Sequence, residues 1–150
     1  LLLSLIDQGR KIWIARPYSV TGVGEQRSHL IPTLIRSCLE GEPMKLCKYA
    51  SHDFVDVADF VSGLLRITDH PCGIYEFGCG HPVTNLRVLE LVEQLTGRKA
   101  NITGELEPRP YDNNDWFCTK PMPGWKPNNY VHNSIAAMIH AYDGPSKAVR

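Results

Sequence analysis

The residues able to do chemistry in this chain are few and widely spaced. The stretch "ARPYSVTGVGEQ", residues 15 to 26, carries two hydroxyls, Ser19 and Thr21, ahead of Gly22 and Gly24. Hydroxyls donate and accept hydrogen bonds, and glycines let a backbone come close to a ligand. The stretch therefore suits an oxygen-rich ligand, and it equally suits an ordinary strand-to-helix connection. Its "GVG" lacks the third glycine, and the helix directly behind it, that a dinucleotide-binding turn needs. Arg109 stands among prolines in "EPRPYD". A rigid guanidinium fork on a stiff loop suits a phosphate, and a surface arginine paired with Glu107 or Asp112 explains it as well. His52 in "SHDF" reads as a polar residue at a turn before a strand. Asp53, Asp56 and Asp59 form an acidic cluster whose spacing does not place all three on one helix face, which favors capping and turn roles over metal or acid–base work. "CGH", Cys79 to His81, offers two ligand types without a matching pair elsewhere, so no metal site is assigned. No tyrosine is followed four residues later by lysine, and no nucleophile elbow or P-loop occurs, so the residues alone supply no catalytic set.

The bulk properties narrow the class. The chain has 150 residues, 43% hydrophobic and 21% charged, which fits a globular domain with a real core. Sixteen Lys plus Arg balance sixteen Asp plus Glu. There is no basic stripe for nucleic acid and no polybasic arm for a membrane surface. No apolar run reaches membrane-spanning length. Five cysteines, an odd number without a Cys-x-x-Cys pair, point to reduced thiols in a cytoplasmic compartment. The opening "LLLSLIDQG" begins inside an apolar segment and lacks the features of a signal peptide. It reads as the remainder of a helix, which implies a fragment of a longer chain.

These residues need a scaffold, and the periodicity suggests one. "KIWIAR" reads as a buried strand. Leu30, Ile31, Leu34, Ile35, Cys38 and Leu39 form one helix face, stopped by "EGEP". "MKLCKY" and "DFVDV" read as strands. Val57, Phe60, Val61, Leu64 and Leu65 recur at helical spacing behind Asp56 or Asp59 as a cap. "GIYEFGCG" reads as a strand entering a glycine turn. Thr84 caps a helix carrying Leu86, Leu89, Val92 and Leu95, which Gly97 ends. "ANITGEL" is strand-like. Residues 107 to 129 lose periodicity and read as an ordered loop in which Trp116, Phe117 and Trp125 need burial. A last helix carries Ile135, Met138, Ile139 and Tyr142, and the tail "GPSKAVR" frays. The alternation predicts an α/β class. "KIWIAR" is the one strand with the look of a parallel-sheet center, so its partners are expected upstream of Leu1.

The order of these pieces resembles the extended short-chain dehydrogenase/reductases, the NAD-dependent nucleotide-sugar epimerases and dehydratases. "RPYSVTGVGEQ" is similar to their "RPxNVYGPGQ" segment, and "SHDFVDVADFVSGLL" to "TRDFVYVDDVaxAl". "LIPTLIRSCLEGEPMKL", "GIYEFGCGHPVTNLRVLELVEQLTG", "EPRPYD" and "GWKPNNYVHNSIAAMI" are similar to further segments of the family, and all six occur in the family's order. Each motif is weak alone, and together they span nearly the whole chain.

The resemblance implies a Rossmann-type, doubly wound parallel sheet that holds NAD or NADP, followed by a small α/β substrate-binding domain. Residues 1 to 28 would end the first and residues 29 to 150 would form the second, with the chain crossing between the two. It implies that Pro17, Tyr18 and Val20 lie against the nicotinamide end of the cofactor. Ser19 stands where the family has an asparagine at the sugar diphosphate. Leu30 opens a helix that starts beside the nucleotide, and Lys45 to Cys47 flank the base. His52 replaces one diphosphate-gripping arginine, Arg109 matches a second, and Asp112 matches an aspartate near the ribose. Thr21 replaces a tyrosine. The implied partner is a nucleotide-diphosphate sugar, the implied activity that of an isomerase, lyase or related oxidoreductase, and the implied assembly of the intact protein a homodimer. The Tyr-x-x-x-Lys pair and the glycine-rich cofactor loop are absent from the chain, so no catalytic residue is assigned within it. An inactive binding module of the same fold and an NADP-dependent aldehyde or ketone reductase of the same superfamily are the alternatives.

Overall fold

A computed structural model describes residues 2–109 and 116–142. Asp112 and the tail from 143 lie outside the described residues. The elements run in the order α1 (Leu2–Asp7), β1 (Trp13–Pro17), β2 (Ser19–Thr21), α2 (Leu30–Glu40), β3 (Met44–Leu46), β4 (Ser51–His52) and β5 (Phe54–Asp56). They continue with α3 (Val57–Leu64), a 3-10 turn (Ile67–Asp69), β6 (Gly73–Phe77), β7 (Val83–Thr84), α4 (Asn85–Thr96), β8 (Ile102–Glu105) and α5 (Val131–His140). The class is α/β, as the alternation predicts.

The strands pair two by two. β1 and β6 run parallel over five residues, from Trp13 opposite Gly73 to Pro17 opposite Phe77. This corrects the expectation that "KIWIAR" would find its partners only upstream. "GIYEF" is a full-length parallel neighbor, disguised by its glycine and glutamate. β2 pairs parallel with β5, β3 parallel with β8, and β4 antiparallel with β7.

Two hydrophobic clusters result. The first is helical. Ile31, Leu34 and Ile35 of α2 meet Val88 and Val92 of α4 and Ile135 of α5, all buried. Each such side chain contributes about 1.5–3 kcal/mol by leaving water. The second cluster gathers Val55, Ile67, Phe77, Met122 and Trp125 beside the β1–β6 pair. Phe77 packs edge-on against Phe60 and Trp125, with ring centers 5.3 and 5.2 Å away, the arrangement aromatic quadrupoles favor. The rings come this close because Gly63 has no side chain. A Cβ there would lie 2.5 Å from Phe77 Cε1 and 2.8 Å from Trp125 Nε1.

Three expectations change. α3 keeps its predicted span, yet of its predicted face Val57, Val61, Leu64 and Leu65 are exposed and Phe60 alone packs inward, beside the buried Asp59 and Gly63. Trp116 is 64% exposed rather than buried. The strand predicted over "MKLCKY" ends at Leu46. Beyond it the chain turns its carbonyls toward α4: Asn85 Nδ2 donates to the Cys47 carbonyl at 2.8 Å, Leu86 N to that of Lys48 at 3.0 Å and Asn85 N to that of Ala50 at 2.8 Å. A helix start has unpaired N–H groups, and satisfying them ends the strand.

Candidate functional site

The candidate site is built at the carboxyl ends of β1 and β6. Tyr18 follows β1 directly, and its N–H donates to the Phe77 carbonyl at 2.9 Å, so the two strand ends stay side by side. Its hydroxyl lies 3.4 Å from Glu76 Oε2. Burial first, then the Glu76 carboxylate, push this phenol above its usual range. A phenol held neutral in this way is a poor proton acceptor. Pro17 is exposed at the same edge, and Val20 packs against the Phe77 cluster.

Ser19 begins β2, and its N–H donates to the Asp53 carbonyl at 2.9 Å. The β2–β5 register puts Ser19 opposite Phe54. Ser19 and His52 therefore stand on either side of Asp53. The His52 ring packs edge-on to Phe54 at 5.7 Å, and its backbone pairs with Val83. Thr21 is buried and donates to Glu25 Oε2 at 2.7 Å, and His29 Nδ1 lies 3.1 Å from the other oxygen of Glu25. The loop is thus partly closed by its own Glu25 carboxylate.

The remaining predicted residues lie on other elements. Leu30 opens α2 and packs against the helical cluster. Lys45 is exposed on β3 opposite Gly104. Cys47 is tied through its carbonyl to Asn85, two residues beyond Val83. The short Val83–Asn85 stretch thereby holds both His52 and Cys47 in place. Arg109 is exposed, four residues beyond the end of β8.

Of the acidic cluster, Asp56 takes the expected capping role, whereas Asp53 and Asp59 bind backbone N–H groups distant in sequence. Asp56 caps α3, accepting from Ala58 N at 2.8 Å and from Ser134 Oγ at 2.6 Å. Asp59 accepts from the backbone N–H groups of Asn128 and Asn129, at 2.9 and 2.7 Å. Among the described residues, no group of three or more His, Cys, Asp or Glu lies close enough to hold a metal ion.

Sequence reasoning missed the groups behind the site. A cleft of about 240 Å³ opens at the end of β6, lined by Gly78, Cys79, Gly80, Cys118, Trp125 and Lys126 among others. The glycine turn after "GIYEF" was the visible signal for it. Cys79 donates its thiol to the Phe54 carbonyl at 2.9 Å. Burial, then the nearby Asp53 carboxylate, push that thiol up to about 12. Cys118 is likewise raised, chiefly by burial. Neither is an activated nucleophile.

Comparisons with known proteins bear on the fold. No curated protein sequence matches the chain. Solved structures do, with low identity and high similarity of fold. UDP-glucose 4-epimerase from Thermotoga maritima, solved with UDP-glucose, superimposes with a TM-score of 0.81 at 18% identity, over 93% of this chain and 48% of its own. UDP-glucose 4-epimerase from Thermus thermophilus, in complex with NAD, gives 0.73 at 21% identity, over 96% of this chain and 51% of its own. RMD from Pseudomonas aeruginosa, complexed with NADPH, gives 0.72 at 20% identity, over 93% and 50%. The chain therefore spans about half the length of these structures. The model of the NAD dependent epimerase/dehydratase family matches residues 2–78, more than half of the 150, and the chain belongs to that family.

Proposed function

We propose that the chain is the C-terminal, substrate-binding portion of an NAD(P)-dependent nucleotide-sugar epimerase or dehydratase. One observation carries the reading: Tyr18, Ser19 and the His52–Asp53 corner meet at the carboxyl end of a parallel strand pair. Sheets of this kind take ligands in the crevice beyond those ends. Family membership and neighbors solved with UDP-glucose, NAD and NADPH support the choice of ligand. In this reading residues 1–28 end the dinucleotide-binding domain and residues 29–150 form the substrate domain, with β6 crossing back to β1.

The cofactor end fits through its backbone and Pro17. Pro17 is exposed there, while Tyr18 and Val20 brace the loop from behind through Gly78 and the Phe77 cluster. NAD or NADP, when bound, supplies the hydride acceptor and donor. The Ser19 hydroxyl places the sugar diphosphate. His52 offers one hydrogen bond where an arginine would offer a fork, so the charge falls to Arg109. Lys45 and Cys47 flank the base, Leu30 starts the helix beside it, and Asp112 meets the ribose. The five free cysteines suit a reducing, cytoplasmic setting.

Calorimetry of the full-length protein with a panel of nucleotide-sugars tests this. We expect one of them to bind, and Arg109→Ala to weaken it about tenfold or more, as for a lost charge-assisted contact. Unchanged affinity would remove Arg109 from the site. Cofactor binding without any nucleotide-sugar binding would favor the reductase reading.

A further inference from the structure

Asp53 is 1% exposed, and its carboxylate is spent entirely on backbone donors. Oδ1 accepts from the N–H of Cys79 at 2.7 Å. Oδ2 accepts from the N–H of Gly80 at 2.9 Å and of Cys118 at 2.8 Å. Its own carbonyl accepts from Ser19 N at 2.9 Å. One residue thus joins four segments that are distant in sequence: the loop after β1, the β4–β5 corner, the turn after β6 and the segment at Cys118.

The packing leaves this carboxylate little room to move. A Cβ at Gly78 would lie 2.5 Å from Asp53 Oδ2, 2.6 Å from Cys118 Cβ and 2.9 Å from Tyr18 Cδ2. Gly78 therefore brings Tyr18, Cys118 and Asp53 together around one bare Cα. Ser19 follows Tyr18, and His52 precedes Asp53. A carboxylate accepting several backbone N–H bonds in a buried setting is a strong, directional anchor. A displacement of Asp53 would shift Ser19 and His52 relative to Tyr18.

The structure assigns Asp53 the role of a positioning residue: it sets Ser19 and His52, the proposed diphosphate contacts, against the Tyr18 end of the site by clamping the turn after β6. The assignment rests on the nucleotide-sugar reading. With its carboxylate held by backbone donors, Asp53 acts through the clamp. Asparagine in its place has one acceptor oxygen and an NH₂ group that meets N–H donors, so at least one clamp bond is lost.

The test uses the full-length protein as wild type, Asp53→Asn and Val88→Ala. Val88 is fully buried in the helical cluster and takes no part in the clamp, so it serves as a control for stability alone. We expect Asp53→Asn to raise KM for the nucleotide-sugar about tenfold with kcat within about threefold, while Val88→Ala leaves KM within about twofold. Amide exchange gives a second measurement that needs no variant. In the wild type, the N–H groups of Ser19, Cys79, Gly80 and Cys118 should be protected and should exchange as one group. In Asp53→Asn they should exchange about tenfold faster or more, with α2 and α4 unchanged. An unchanged KM in Asp53→Asn, or four amides exchanging independently in the wild type, overturns the assignment. A wild type that binds no nucleotide-sugar overturns the functional reading and with it the ligand named here, while the exchange data still decide whether the clamp exists.

Discussion

The two hydrophobic clusters are built from similar residues and end up very differently. The helical one, among α2, α4 and α5, closes on itself. Its central side chains are buried, and its edge is sealed by the Tyr142 hydroxyl donating to Glu40 Oε1 at 2.5 Å. The cluster beside β1 and β6 is smaller, with five buried residues against twelve among the described residues. Phe77 is fully buried, yet the outer face of α3 stands open and Leu65 is 77% exposed. Three helices can surround a core, whereas a two-stranded sheet with one short helix cannot cover both of its faces.

Substitutions can break or sharpen this contrast. The largest effects belong to the buried centers. Phe77→Ala should cost about 3–5 kcal/mol and Leu34→Ala about 2–5 kcal/mol, read by denaturant unfolding. If the two regions are separate, the two losses should add when combined. The alkaline limb comes next. Cys79 is raised to about 12 from an unfolded value near 9.0, and Tyr142 to about 12 from 10.0, by burial and then Glu40. Raised acids keep their protons in the folded state and lose them in the unfolded one, so stability falls as pH climbs from about 9 to 12. Cys79→Ser should reduce that decline from about 9 upward, and Tyr142→Phe only from about 10 upward. Asp56→Ala, which removes the α3 cap and the Ser134 contact, should cost about 1–2 kcal/mol. Smallest of all, Leu65→Ala should change stability by less than about 0.5 kcal/mol. A loss near that of Leu34→Ala would mean that α3 is covered in solution.

Much of the fold could be read directly from periodicity. The faces of α2, α4 and α5 repeat every three to four residues, and the residues so marked pack into the helical cluster. α3 was legible as a helix and misleading in its orientation, because most of its apolar face is exposed while Gly63, which meets Phe77 and Trp125, has no side chain to mark it. β6 hid its parallel role because its burial is partial along most of its length. The site was legible in its loop and its resemblance and illegible in its anchor. Asp53 sits in an ordinary acidic stretch, and the N–H groups it binds lie 26, 27 and 65 residues away. Backbone donors carry no residue type, so spacing could not reveal them. Trp116 shows the reverse error: a large aromatic ring argued for burial, and the local chain leaves it exposed.

β5 ties the two regions together. Phe54 belongs to the helical cluster and its neighbor Val55 to the other. Successive side chains of a strand point to opposite faces, so this one short strand is a rivet shared by both bodies. A hinge through it would drag one of the two side chains out of its core. Any relative motion of the two bodies is therefore expected to be a small sliding shear around β5 rather than a swing about it. His52, Asp53 and the paired Ser19, which flank the rivet, would move least.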